Sequence, residues 1–116
     1  GSDWFVSSGN PLLGIETAIT RRDPLTNESE PFLDHQRIGL TAALKAYTLN
    51  AAYINFIEHE TGSLEVGKQA DLIVLDKNLF DLKSSEISEA SVVLTLIDGE
   101  RVYGEWSLEP LGKTAL

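Results

Sequence analysis

Hydrophobic and polar positions follow two different patterns along the chain, helical in the first half and extended in the second. After Pro11, apolar residues recur three and four positions apart, which predicts a helix over residues 11–22. Residues 23–33 are polar and contain two prolines, so they predict a surface loop. Helical spacing returns over residues 40–56, where one broken helix or two consecutive short helices fit the pattern.

Extended structure is predicted after a change of composition at Gly62. The continuous apolar run at residues 72–75 lies between two aspartates and is typical of a strand buried on both faces. The β-branched run at residues 92–97 is separated from residues 101–103 by the dipeptide Asp98-Gly99, which predicts a tight β-hairpin. The second half is therefore expected to be mostly strand.

Two shorter segments complete the predicted elements. Residues 3–6 are aromatic and β-branched and run into turn-forming residues at 7–11, which indicates the end of a strand followed by a loop. Residues 84–90 predict one short helical turn. The tail after Trp106 has no periodicity, and no element is predicted there.

Composition and charge indicate one folded domain with an acidic surface. The 116 residues are 42% hydrophobic and 23% charged, as in globular proteins. Nine Lys and Arg against 18 Asp and Glu give a net charge of −9, which disfavours nucleic acid and anionic membrane surfaces as partners. No apolar run is long enough to span a membrane and the chain does not begin like a signal peptide, so a cytoplasmic location is expected.

Candidate chemistry is sparse. Cysteine is absent, which excludes thiolate zinc sites and cysteine catalysis, and the two histidines, His35 and His59, are too far apart for a compact ligand spacing. Both are expected to be solvated. Asp3 lies at the predicted carboxyl end of a strand, where α/β barrels place catalytic groups, so it is a candidate metal ligand or base. An aspartate in that position also caps loops, and the residue alone does not decide between the two roles.

Two other patterns carry no chemistry. Gly62, Gly67 and Lys68 lack the spacing of a phosphate-binding loop, and a strand follows them where that motif needs a helix. Ser7 and Ser8 have no neighbouring histidine to activate a nucleophile. Three acidic residues near the glycines are expected to form a solvated surface: Glu58, Glu60 and Glu65.

Three ordered segments resemble the carboxyl-terminal part of a metal-dependent amidohydrolase, of the branch that hydrolyses N-substituted amides. Residues 1–12, with Ser2-Asp3-Trp4 and then Asn10-Pro11-Leu12, resemble the segment that ends the last barrel strand. Residues 43–52 resemble the late helix that packs outside the barrel. Residues 62–76 are the most specific, and they resemble the return of the chain into a small β-sandwich that residues 92–103 would continue.

The resemblance implies an α+β fold as a fragment: the last strand and helices of a TIM-barrel amidohydrolase, followed by part of a small β-sandwich. Residues 1–58 would be the carboxyl-terminal piece of the barrel, residues 59–106 the last strands of the composite sandwich, and residues 107–116 a tail. Gly62 and Gly67 would be turn residues and Asp71 a cap at the entry of a strand.

The resemblance also implies what the site residues do. Asp3 would be the active-site aspartate of the last strand, which contacts the metal ion and positions or deprotonates the attacking water. Trp4 and residues 6–10 would line the pocket of a small amide-like substrate, although Phe5 stands where the branch usually has proline. The cofactor would be a divalent metal ion, with zinc the expected one. The family's His-x-His pair, its bridging residue and two further histidine ligands are not in this chain, so the chain alone is expected to bind no metal and to be inactive.

Two functions remain open from the sequence. The first is the carboxyl-terminal part of a metal-dependent hydrolase that acts on carbon–nitrogen bonds other than peptide bonds. The second is a free-standing small α+β module that binds a partner through an exposed sheet. If the chain is the hydrolase fragment, strand edges without their neighbours would favour a homo-oligomer, whereas a compact monomer would favour the module.

Overall fold

The helices of the first half lie where their spacing predicts them. A computed structural model describes residues 2–105. Helix α1 spans Pro11–Thr20, α2 spans Leu40–Tyr47 and α3 spans Leu49–Ile54. The second helical region is therefore two consecutive short helices, one of the two arrangements that the pattern allowed. The intervening loop contains a short 3₁₀ helix at Asp34–Gln36.

Helix α1 is bounded by local hydrogen bonds at both ends. The Oδ1 atom of Asn10 accepts a hydrogen bond of 3.0 Å from the backbone N–H of Leu12, and Pro11 occupies the first turn. At the other end Arg21 has a φ of 56°, and its N–H donates to the carbonyl oxygen of Thr17 at 2.8 Å. Because Arg21 adopts the left-handed conformation, α1 ends before the predicted boundary at residue 22.

Three strands form an antiparallel sheet in the order β1, β2, β3. Strand β1 is Leu72–Leu75, β2 is Val92–Ile97 and β3 is Glu100–Gly104. The predicted hairpin is confirmed, since Asp98 and Gly99 have φ values of 51° and 79° between β2 and β3. Two successive positive φ values are the mark of the type I′ turn that favours this dipeptide. The described residues thus have a small α+β fold.

The prediction that residues 72–75 are buried on both faces is wrong. Strand β1 is only partly buried, and the side chain of Ile73 is 49% exposed. Along one edge β1 pairs with β2, and within residues 2–105 no strand pairs with its other edge. A run as apolar as this one normally lies between two covering layers. The described part of the chain supplies too little cover, so β1 remains partly exposed.

The prediction of a strand end at residues 3–6 is also wrong. These residues form a turn, which is closed by a hydrogen bond of 2.8 Å from the N–H of Val6 to the carbonyl oxygen of Asp3. A strand needs a neighbouring strand to satisfy its backbone groups. No strand of the described region pairs with residues 3–6, and the backbone there closes a turn on itself instead.

One hydrophobic core connects the helices to the second half of the chain. It contains residues from α1, α2, a 3₁₀ helix at Leu79–Asp81 and the predicted helical turn, which is a 3₁₀ helix at Ser84–Glu89. Its buried members are Leu12, Ile15, Ala43, Leu79, Ile87 and Ala90. The core therefore draws on both sides of residue 58, where the domain boundary stays a prediction. The tail at residues 107–116 lies outside the described residues, and within those residues no helix is long and apolar enough to cross a membrane.

Candidate functional site

Asp3, the candidate catalytic residue, lies in an exposed turn. Asp3 itself has a φ of 49°, a conformation that aspartate tolerates better than most residues. A second hydrogen bond of 2.8 Å, from the hydroxyl of Ser7 to the carbonyl oxygen of Ser2, holds the ends of the turn together. Asp3 is exposed, and within residues 2–105 no donor is hydrogen-bonded to its carboxylate.

The turn is joined to the start of α1 by a short connection. The hydroxyl oxygen of Ser8 accepts a hydrogen bond of 3.2 Å from the N–H of Asn10, the residue that caps α1. The indole of Trp4 lies over Gly9, where an added Cβ would be 3.4 Å from the ring. The position of Asp3 therefore depends on that of α1, because hydrogen bonds and the contact between Trp4 and Gly9 hold the residues between them.

A cavity of about 470 Å³ opens between this turn and α1. Ser7 and Ser8, from the predicted pocket loop, lie on one side of it. Leu13 and Thr17 of α1 and Tyr47 of α2 lie on the other. Trp4 does not line the cavity, and its side chain is 75% exposed. The geometry thus brings part of the predicted loop to a cavity but leaves Trp4 outside.

The described residues do not fit a metal ion. No group of three or more His, Asp or Glu side chains converges in residues 2–105. His35 and His59 are exposed, as predicted, and the Nε2 atom of His59 lies 3.3 Å from a carboxylate oxygen of the adjacent Glu60. A divalent ion needs three or four ligands in a defined geometry, and Asp3 provides one carboxylate. No chemical step of a bound metal is derived from these residues.

Lys68, rejected above as a phosphate ligand, is committed to other partners. Its ammonium donates to the carbonyl oxygen of Glu58 and to the hydroxyl of Ser63, and lies 2.8 Å from a carboxylate oxygen of Glu65. The hydrogen bond from Lys68, assisted by one from Ser63, holds the pKa of Glu65 below its ordinary value. Of the acidic residues here, Glu65 is therefore paired with a cation, and Glu60 is exposed as predicted.

Asp71 has a structural role that is wider than a cap for its own strand. Its carboxylate accepts one hydrogen bond of 2.8 Å from the backbone N–H of Asp98, in the hairpin turn, and another of 2.8 Å from the hydroxyl of Thr61. The bond from the Asp98 N–H, with that from Thr61 second, lowers the pKa of Asp71. Asp71 thus connects the loop before the sheet to the turn between β2 and β3.

Glu16 is a buried acidic residue that the sequence reasoning missed. Its side chain is fully buried in α1. Its two carboxylate oxygens accept hydrogen bonds from the side-chain amide of Asn27, at 3.2 Å, and from the backbone N–H of Ser88, at 2.7 Å. A signal was present, because Glu16 falls on the same helical face as Leu12 and Ile15, where a charged residue is out of place.

The comparison with known protein families decides the affiliation of the chain. The model of the Amidohydrolase family matches residues 1–103, nearly the whole sequence. The chain belongs to the amidohydrolase family. That family is generally metal-dependent, and the match extends from the Asp3 turn through the sheet of β1, β2 and β3.

Several curated proteins match the chain over the same region. Protein LONG AFTER FAR-RED 3 of Arabidopsis thaliana is 41% identical over 103 residues, which is 89% of this chain and 17% of the plant protein. N-substituted formamide deformylase of Arthrobacter pascens is 35% identical over 102 residues, 88% of this chain and 18% of the enzyme. Putative amidohydrolase YtcJ of Bacillus subtilis is 28% identical over 103 residues, 89% of this chain and 20% of that protein.

These three relatives are much longer than the chain, which spans 17–20% of their length. No solved structure matches the sequence. The superfamily expected from the three ordered segments is therefore confirmed, and the hydrolase relatives agree with a hydrolase-type parent.

Proposed function

We propose that the chain is the carboxyl-terminal segment of a metal-dependent hydrolase that cleaves carbon–nitrogen bonds other than peptide bonds, and that it is inactive alone. The observation that carries this proposal is that family membership spans residues 1–103 while those residues contribute one candidate catalytic group, Asp3. The relative named for N-substituted formamides makes N-substituted amides the proposed substrate class. A cytoplasmic location is part of the proposal.

Asp3 has the main chemical role in this proposal. Its exposed carboxylate would orient the attacking water or take a proton from it, and would be one ligand of a divalent ion, for which zinc is proposed. The remaining ligands come from segments that are not in this chain. Trp4 and the serines of the following loop would line the substrate pocket, and the cavity between that loop and α1 supports this placement for Ser7 and Ser8 but not for Trp4.

Metal analysis of the purified chain tests the proposal. After dialysis we expect far less than one zinc per chain and no hydrolysis of N-substituted formamides, because a single carboxylate holds the ion too weakly. Asp3→Ala is the matched variant and should have the same zinc content as the unchanged chain. About one tightly held zinc per chain that disappears in Asp3→Ala would contradict the proposal.

A free-standing interaction module is the second candidate, and one observation favours it. Helix α1 and the 3₁₀ helix at Ser84–Glu89 bury a shared core that includes Ile15 and Ile87, each at most 3% exposed. A segment that forms its own core has the minimum needed to fold alone. Cooperative unfolding of a compact monomer at micromolar concentration would favour the module.

Assembly through strand edges belongs to the first proposal, that of a hydrolase segment. The free edge of β1 and a neighbouring cavity of about 590 Å³ expose apolar side chains, among them Ile73 and Ile97, at 49% and 57%. Burying about 400 Å² of such surface contributes on the order of 10 kcal/mol before association costs, whereas surface repulsion is screened within about 8–10 Å. We expect light scattering to give a homodimer or a larger oligomer that high salt does not dissociate, and a stable monomer would contradict this.

A further inference from the structure

The buried carboxylate of Glu16 connects three separate parts of the chain. It lies in α1, and its hydrogen-bond donors lie 11 and 72 residues further along, at Asn27 and Ser88. Burying a carboxylate is costly unless its oxygens are hydrogen-bonded, and here each oxygen has an N–H donor. The arrangement attaches α1 both to the loop that follows it and to the 3₁₀ helix at Ser84–Glu89.

These hydrogen bonds restrict α1 in a way that its apolar contacts do not. Leu12 and Ile15 pack in the core with Ile87, but apolar contacts have no preferred direction and tolerate small rotations and shifts of a helix. A hydrogen bond of 2.7 Å to a backbone N–H weakens steeply when its angle changes. Glu16 therefore sets the rotation of α1 about its own axis.

The rotation of α1 matters for Asp3 because the two are closely coupled. Asn10 caps α1 and is bonded to Ser8, and the turn that contains Asp3 closes immediately before these residues. We propose that Glu16 is a positioning residue: by fixing α1 against Ser88, it sets where the carboxylate of Asp3 lies. The catalytic consequence rests on the function proposed above, but the coupling between Glu16 and the Asp3 turn does not.

Exchanging the two hydrogen-bonding side chains tests this coupling in the 116-residue chain. Asn27→Asp places a second carboxylate against Glu16 and removes a donor, so repulsion should pull the contact apart. The double variant Glu16→Gln with Asn27→Asp restores the contact between these two side chains, because the amide introduced at position 16 donates to the carboxylate introduced at position 27, while the amide oxygen still accepts from Ser88. It does not restore the two longer hydrogen bonds, of 3.5 and 3.4 Å, that the Asn27 amide donates to the carbonyl oxygens of Pro24 and Ser85. Glu28→Gln, at an exposed glutamate of the same loop, changes the net charge by one unit in the opposite direction and is the control for electrostatic effects that do not involve Glu16.

Two measurements by NMR distinguish a residue that positions Asp3 from one that only stabilises its immediate contacts. In Asn27→Asp we expect hydrogen exchange of the Ser88 amide to be about tenfold faster, because a buried donor loses its acceptor. The amide chemical shifts of Asp3 and Val6 should move in the same variant. Both measurements should return close to their original values in the double variant and stay unchanged in Glu28→Gln.

Each other result overturns the proposal. Unchanged exchange at Ser88 in Asn27→Asp would show that Glu16 does not restrain this segment. Faster exchange at Ser88 with unchanged shifts at Asp3 and Val6 would show that Glu16 stabilises only its immediate contacts and does not position Asp3. If Asn27→Asp does not fold, Asn27→Ala replaces it, because it removes the donor without adding a charge, and unchanged shifts at Asp3 and Val6 in that variant overturn the proposal. None of these readouts depends on hydrolysis, so a failure of the proposed enzymatic function would be seen separately.

Discussion

The Asp3 turn and the three-stranded sheet both match the amidohydrolase family, yet the structure supports them very differently. In the sheet, Asp71 binds the hairpin turn and the preceding loop at the same time, at 2.8 Å each. In the turn, the side chains of Phe5 and Val6 are 86% and 77% exposed, and hydrogen bonds within the turn and the cap of α1 hold the backbone. The segment with the candidate chemistry is therefore held by local hydrogen bonds and exposes apolar side chains that the described residues do not cover.

The largest expected contrast comes from truncating one side chain in each region. Ile87→Ala should lower the free energy of unfolding by about 2–5 kcal/mol, because Ile87 is 1% exposed and its loss leaves a cavity in the core. Val6→Ala, in the Asp3 turn, should change it by less than about 0.5 kcal/mol. Urea denaturation measures both values. A loss in Val6→Ala as large as that in Ile87→Ala would mean that the turn is packed in solution.

The next contrast lies between two glycines on the sheet side. Gly62 has a φ of 91°, and an added Cβ would lie 2.6 Å from the Cβ of Ala52, so Gly62→Ala should cost about 2–4 kcal/mol of stability from strain and overlap together. Gly67 has a φ of 94° with open space around it, and Gly67→Ala should cost about 1–2 kcal/mol from strain alone. Equal losses in urea denaturation would exclude close packing of Gly62 on α3.

A smaller effect should appear in the pH dependence of stability. The pKa of Asp71 is lowered in the folded chain, so its contribution is present above the unfolded pKa and is lost as the pH falls through the lower, folded pKa. Stability should therefore decline below about pH 4, and Asp71→Asn should flatten that decline. Thermal unfolding between about pH 2 and 6 is the measurement. If stability falls as steeply with decreasing pH in Asp71→Asn as in the unchanged chain, Asp71 does not cause this pH dependence.

Elements specified by nearby residues were predictable from the sequence. The Asp98-Gly99 turn needs two positive φ values, which this dipeptide adopts at low cost, and Pro11 with its preceding Asn10 defines the start of α1. The spacing of apolar residues over residues 40–56 did not decide between one broken helix and two short helices. The structure resolves it at Thr48, whose φ and ψ of −125° and −96° interrupt the helix.

Features that depend on distant partners were not predictable in the same way. The apolar run of β1 indicates two covering layers, whereas the described residues leave Ile73 half exposed. The aromatic segment before Ser7 indicates a strand, but no strand in residues 2–105 pairs with it. The hydrogen bonds of Glu16 could not be derived from the sequence, because its donors, Asn27 and Ser88, are brought to it only by the tertiary fold.

The most direct test uses the longer hydrolase proposed above. Its steady-state kinetics with Asp3→Asn decide whether Asp3 is a catalytic residue. The substitution keeps the shape of the side chain and removes its charge and its ability to take a proton. We expect kcat to fall by at least about a thousandfold while the midpoint of thermal unfolding stays unchanged, because Asp3 is exposed and supports no packing. A near-normal kcat in Asp3→Asn would contradict the assignment of Asp3 as the catalytic aspartate.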